Sequence, residues 1–171
     1  MQKDVQTDGI TCLINNAGVA PKATRYNLVK VEQMESTFRT NVIAPLFLSR
    51  AMVPMLKNNQ GSLIVNMSSI LGSIEYNKKV MELGGSGGGQ YPYRSTKAAL
   101  NMVTRSLSID LEHAKIGVIA IHPGWVKTDM GGPNAPMTAQ ESVQGIIRLI
   151  SDYSENYNGK FLDYKGDIVP W

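Results

Sequence analysis

The sequence predicts an α/β fold built as a doubly wound parallel sheet, and three observations carry that expectation. Apolar runs of strand length alternate with longer segments of helical periodicity, the pattern of parallel strands joined through helices. The runs at 10–14, 63–67 and 117–121 are apolar at almost every position, as strands covered on both faces are. Amides, hydroxyls and a Pro-Gly pair come directly after those runs, at the strand ends where such sheets bind ligands. With 171 residues, 43% of them hydrophobic, the chain reads as a single domain, 1–171, able to bury a sizeable core.

Residues 1–9 are polar and read as a frayed helix end or a linker, and Ile10-Thr11-Cys12-Leu13-Ile14 as a buried strand. Cys12, the single cysteine, is taken as a small core residue. Asn15-Asn16-Ala17-Gly18 follows at once, and two amides with two small residues suit either an ordinary turn or a backbone brought close to a ligand. Residues 29–57 carry helical periodicity, with Met34, Phe38, Val42 and Leu46 on one stripe and Pro54 near the end. Asn41 lies inside this helix. Pro45, four residues on, lacks the N–H that would bond the Asn41 carbonyl, so that carbonyl is left free, either for a function or as the mark of a kink.

The run 63–67 ends at Ser68-Ser69, after which residues 75–90 are polar and contain Gly84-Gly85-Ser86-Gly87-Gly88-Gly89. Such a composition predicts mobility and suits a substrate lid or a flexible insertion equally. It is not a phosphate loop, since it neither follows a strand nor carries the lysine and hydroxyl of that motif. Residues 93–112 are helical by the spacing of Ala99, Val103, Leu107 and Leu111. The run 117–121 leads into His122-Pro123-Gly124-Trp125-Val126-Lys127-Thr128. There Pro and Gly turn the chain and leave the Val126 backbone and the Thr128 hydroxyl for a planar amide. His122 is placed in the core, because nothing nearby offers a metal set. Residues 139–150 predict an amphipathic helix with Thr138 as N-cap and Glu141 completing a capping box, and residues 160–164 a short last strand.

Charge and hydropathy exclude several function classes. The net charge is +3 with lysines and arginines scattered along the chain, which argues against a nucleic-acid surface. No apolar run is long enough for a bilayer and the opening residues lack a signal peptide's apolar stretch, so no membrane partner and a cytoplasmic location are expected.

The chemistry concentrates in Tyr91-Pro92-Tyr93-Arg94-Ser95-Thr96-Lys97, read with Asn66-Met67-Ser68-Ser69. Tyr93 and Lys97, four apart on a helix, share a face. A phenol with a pKa of about 10 is a poor proton donor at neutral pH, and a neighbouring ammonium lowers that value. A Ser69 hydroxyl bonding the same substrate oxygen completes a site that moves a proton onto or off a carbonyl or alcohol. Ser69 lacks the Gly-x-Ser-x-Gly elbow of a serine hydrolase.

These motifs, in this order, resemble those of the short-chain dehydrogenase/reductase family: Asn-Asn-Ala-Gly, a helix asparagine, a serine after a strand, Tyr-x-x-x-Lys and Pro-Gly-x-Val-x-Thr. Within it, the stretches 66–73 and 122–132 look most like the sniffer-type, or C-factor-like, carbonyl reductases. The resemblance implies Asn41, Ser69, Tyr93 and Lys97 as catalytic residues, with Asn41 holding a proton-relay water. It implies Asn15, Asn16, Ala17 and Gly18 beside a cofactor ribose and Pro123, Gly124, Val126 and Thr128 around the carboxamide, with Tyr93 and Lys97 also touching the cofactor. That cofactor is NADP(H), with NAD(H) left open; the substrate is a small carbonyl compound, and a homodimer is an open assembly. The family opens with a glycine-rich turn that has no counterpart before residue 15. The chain is therefore expected to be the carboxyl-terminal part of a Rossmann-like fold, from its fourth strand onward with the first βαβαβ portion missing. Residues 10–14 would then form an open sheet edge. Two functions follow, a carbonyl-reducing enzyme or a non-catalytic remnant that associates with a full-length relative.

Overall fold

The computed structural model describes residues 9–22, 24–56, 61–78 and 88–171. The polar opening segment and the centre of the glycine-rich stretch lie outside the described residues. The elements run β1 (Cys12–Asn15), α1 (Val31–Phe38), α2 (Ala44–Leu56), β2 (Leu63–Met67), α3 (Tyr91–Asp110), β3 (Gly117–His122), α4 (Ala139–Ser151) and β4 (Phe161–Asp163). The four strands are parallel and lie in the order β1-β2-β3-β4.

Alternation along the strands sorts the core into two layers. Leu63, Val65 and Met67 of β2 join Ile119 and Ile121 of β3 and Leu162 of β4 against Leu149 of α4. Ile64 and Val118 point the other way, onto Leu56 of α2 and Leu111 after α3. Helices thus cover both faces, which makes the sheet doubly wound as predicted.

Three expectations need correction. β1 is not a fully buried strand: it pairs with β2 alone among the described residues, Cys12 and Leu13 are half-buried and Ile14 is 46% exposed. Burial of the Cys12 sulfur still raises its thiol pKa. The continuous helix over 29–57 is interrupted by a π-helical turn, Arg39–Ile43, in which the Ala44 N–H donates to the Arg39 carbonyl. Pro45 is the cause, because the α-type bond to Asn41 cannot form and the ladder slips to the next register. Finally, the most buried stripes are shifted from the apolar ones. The first helical pair buries Thr37, Asn41, Pro45 and Ser49, and α3 buries Lys97, Asn101, Thr104 and Ser108 beside Leu100. Met34, Phe38, Val42, Leu46, Ala99, Val103 and Leu107 are half-buried.

Smaller features agree with the sequence. Thr138 caps α4, its hydroxyl accepting from the Glu141 N–H at 3.2 Å while the Glu141 carboxylate accepts from the Thr138 N–H at 2.7 Å. α3 begins at Tyr91 with Pro92 in its first turn, where a proline's missing N–H costs nothing. His122 is half-buried at the end of β3, and its Nδ1 is buried with no partner among the described residues. Burial pushes the imidazole down to about 4, against the pull of Asp163. Among the described residues no helix is long and apolar enough to cross a membrane.

Candidate active site

The carboxyl end of β2 delivers the serine. Ser68 extends the pairing, its N–H donating to the Ile121 carbonyl at 2.7 Å. Ser69 stays extended and caps a single 3-10 turn, Ile70–Gly72, with its Oγ accepting from the Leu71 N–H at 3.2 Å. Its hydroxyl is thereby held at the carboxyl end of the sheet. Tyr93 follows in the first turns of α3, where the Ser69 hydroxyl acts on its phenol and pulls the pKa down.

Lys97 follows one turn later. Its Nζ donates to the Met67 carbonyl at 2.7 Å and lies 5.5 Å from the centre of the Tyr93 ring. The lysine is 5% exposed, and burial pushes its ammonium down to about 8. For Tyr93 the expectation of a lowered pKa is not met. Burial raises the phenol, and what opposes it is the Ser69 hydrogen bond rather than the lysine. Burial disfavours both charged forms. Tyr93 therefore holds its proton at neutral pH, as a proton donor must, and Lys97 is still mostly charged.

The Asn15–Gly18 turn and the π turn close around this group. The Asn41 side chain is fully buried, its Oδ1 accepting from the Val19 N–H at 2.9 Å and its Nδ2 donating to the Val19 carbonyl and to Thr96 Oγ1 at 3.0 Å each. With the amide so committed, a relay through Asn41 rests on its main-chain carbonyl. A Cβ placed on Gly18 would lie 3.6 Å from Lys97 Nζ and 3.6 Å from Asn41 Oδ1, so the turn borders the lysine directly. Asn16 and Ala17 are exposed. The Asn15 Nδ2 donates to Asn66 Oδ1 at 2.7 Å and to Ser49 Oγ at 3.1 Å. That nitrogen ties β1 to β2 and α2.

The 123–128 segment leaves β3 at the same end of the sheet. Gly124 has φ 89°, a left-handed conformation that favours glycine. Val126 and Met137 form a parallel bridge that uses Lys127 N–H to Met137 O at 2.8 Å and Met137 N–H to Trp125 O at 3.3 Å. Parallel pairing of this kind leaves Val126's own N–H facing away from its partner. Thr128 Oγ1 accepts the Gly131 N–H at 3.1 Å and is exposed. Pro123 is tied to α4, its carbonyl accepting from Ser142 Oγ at 2.6 Å.

This donor set fits a nicotinamide nucleoside. An ammonium with one of its three donors used, next to the Gly18 turn, suits ribose hydroxyls, while a backbone N–H and a threonine hydroxyl suit a carboxamide. Sequence reasoning missed several supporting residues. Thr96 receives Asn41, and Ser68 Oγ donates to Asn101 Oδ1 at 2.6 Å. The signal available was polar residues at helical spacing from Lys97, which reads as a solvated face unless the helix is buried there.

A family model of short chain dehydrogenases matches residues 2–139. C-signal from Myxococcus xanthus is 39% identical over 168 residues, spanning 98% of this chain and 96% of that protein. The carbonyl reductase Sniffer of D. melanogaster superposes with a TM-score of 0.89 at 41% identity, covering 96% of this chain and 67% of the other. The NADPH-bound carbonyl reductase from chicken fatty liver does so with a TM-score of 0.85 at 38% identity, again over 96% and 67%. This chain thus spans about two thirds of those solved structures and nearly all of C-signal.

Proposed function

Because the chain belongs to the short-chain dehydrogenase family, we propose that it reduces aldehydes or ketones to alcohols with NADPH, by way of Ser69, Tyr93 and Lys97. The cofactor, when bound, supplies the hydride for the carbonyl carbon. Ser69 Oγ and the Tyr93 hydroxyl converge on the carbonyl oxygen, Ser69 orienting it and Tyr93 giving up its proton as the oxygen gains charge. Lys97 holds the ribose through its ammonium, and its charge lies beside the oxygen that Tyr93 leaves negative once the proton has moved. Asn41 offers its main-chain carbonyl to a water that returns the proton. Gly18 borders the ribose, and Val126 N–H with Thr128 Oγ fixes the carboxamide plane.

The observation that carries this reading is buried Lys97, its Nζ on the Met67 carbonyl at 2.7 Å and 5.5 Å from the centre of the Tyr93 ring, at the strand end that delivers Ser69. NADP-type chemistry draws support from the NADPH-bound avian carbonyl reductase of the same fold. The reading includes a cytoplasmic location and a homodimer through α2 and α3, on which Phe47, Leu48, Met102 and Ile109 are 48%, 47%, 66% and 58% exposed. Sedimentation equilibrium measures that assembly, and a strictly monomeric chain would remove it from the proposal. The function itself is tested with Tyr93→Phe. NADPH-dependent reduction of an aromatic aldehyde should fall by about 10² to 10⁴, with NADPH affinity by fluorescence titration nearly unchanged. A variant keeping more than about half the parent rate would end the assignment.

A further inference from the structure

We infer that Gly72 is a positioning residue for the Ser69–Tyr93 pair, setting how closely the serine turn approaches α3. The inference rests on the reading of Tyr93 as proton donor. Ser69 is followed by the single turn Ile70–Gly72, closed by Gly72 N–H to Ser69 O at 2.8 Å and Ser73 N–H to Ile70 O at 3.0 Å. Gly72 is buried, and it lies on the helix backbone at the lysine. A Cβ there would fall 2.7 Å from the Lys97 carbonyl carbon, 2.7 Å from Lys97 Cβ and 2.9 Å from the Ala98 nitrogen. Backbone atoms cannot swing aside as a side-chain tip can. Neither side has slack. The helix carries Lys97, whose Nζ is fixed on Met67 O at 2.7 Å. The turn is pinned from behind, where Ser73 Oγ and the Glu75 N–H donate to the Trp171 carbonyl at 3.3 and 3.0 Å.

Ser69 is therefore bracketed. On its amino-terminal side Ser68 Oγ donates to Asn101 Oδ1 at 2.6 Å and reaches Lys97 O at 3.5 Å; on its carboxyl side Gly72 rests on the Lys97 backbone. The bracket fixes the serine hydroxyl opposite a phenol one turn before that lysine. Any side chain at 72 must lift the turn until its Cβ regains an ordinary contact of 3.4 Å or more, a displacement of roughly half an ångström or more, comparable to the tolerance of a working constellation.

The test compares Gly72→Ala with Gly117→Ala. The second is a buried glycine at the amino end of β3, the opposite end from the site, where a Cβ would fall 2.5 Å from Tyr153 Cζ. For Gly72→Ala, kcat for aldehyde reduction should fall about tenfold to a hundredfold, with NADPH affinity within about threefold of the parent. Gly117→Ala should keep kcat per folded molecule. A second readout needs no turnover. In 13C-tyrosine NMR titrations of the free protein, with Tyr93 assigned by difference against Tyr93→Phe, withdrawal of the Ser69 hydroxyl should raise the Tyr93 midpoint in Gly72→Ala and leave it unmoved in Gly117→Ala. If Gly72→Ala does not fold, Ser68→Ala opens the bracket from the other side without added volume and should shift kcat and the Tyr93 midpoint in the same directions. Equal losses in the two glycine variants, or an unmoved Tyr93 midpoint in the bracket variants, would overturn the inference. Retained activity in Tyr93→Phe would sink the catalytic reading instead, and the titration would still decide the bracket.

Discussion

Helices α3 and α4 pack on opposite faces of the same two strands by different means. α4 does it with apolar side chains, Leu149 buried and Ile146 and Ile150 partly buried against Val65, Met67, Ile119 and Ile121. α3 buries Thr96, Lys97, Asn101, Thr104 and Ser108, and it meets β2 and the serines after it through hydrogen bonds from Asn66 to Thr104, from Ser68 to Asn101 and from Lys97 to the Met67 carbonyl. Apolar packing is tolerant of direction and small shifts, whereas a buried hydrogen bond demands an orientation. The face that must hold reacting groups in register is the polar one, and the apolar face supplies stability to both.

That contrast is broken most sharply at Lys97. Lys97→Met should reduce carbonyl reduction at pH 7 by about 10² or more, and it should also remove a pH dependence from the fold. The buried lysine titrates near 8 and an unfolded one near its ordinary 10.5, so between those values the unfolded chain binds more protons. Stability of the parent should therefore rise as pH climbs from 8 to 10.5, while the methionine variant lacks this slope. Urea denaturation of the free protein at a series of pH values measures it. Identical slopes would mean that the ammonium is solvated.

On the apolar side, Leu149→Ala should destabilise by about 2 to 5 kcal/mol and leave kcat per folded molecule unchanged. Thermal unfolding paired with active-site titration checks both halves, and a loss of kcat would show that α4 shapes the site. Between the two helices, His122 sharpens the comparison with acid. Its folded value of about 4 against an ordinary 6.5 means the unfolded chain takes up a proton first. Stability should fall as pH drops from 6.5 to 4, by roughly 3 kcal/mol in all. In His122→Asn, which does not titrate, acid unfolding should lose that component.

The same contrast explains what could be read without coordinates. Strands β2 and β3, the capped α4 and the Ser69, Tyr93 and Lys97 motif were legible because apolar runs, a capping box and helical spacing are local signals. The buried faces of α2 and α3 were not. Periodicity points to Phe38, Leu46, Val103 and Leu107, yet Asn41, Ser49, Asn101 and Thr104 lie deeper, because they have amide or hydroxyl partners on elements far along the chain. The π turn was half legible: Pro45 signals a break but not the register that replaces it. The raised phenol was illegible, since burial is a property of the whole fold and outweighs the neighbour that spacing reveals.

The hydrogen-bonded series from Ser49 through Asn15, Asn66 and Thr104 to the Leu100 carbonyl crosses from one helix, over two strands, to another, with spacings of 3.1, 2.7, 2.9 and 2.8 Å. Its consequence is historical as well as mechanical. Each member satisfies the next, so a change at Asn15 alone strands the Asn66 oxygen in a dry interior, a loss of about 1 to 3 kcal/mol. Replacing both together leaves no orphan, and the double variant should be less damaged than the sum of the singles. A lineage can leave this arrangement only through an intermediate worse than either end. Drift at these positions should therefore be paired, and an alignment of relatives in which Asn15 and Asn66 change independently would break the expectation.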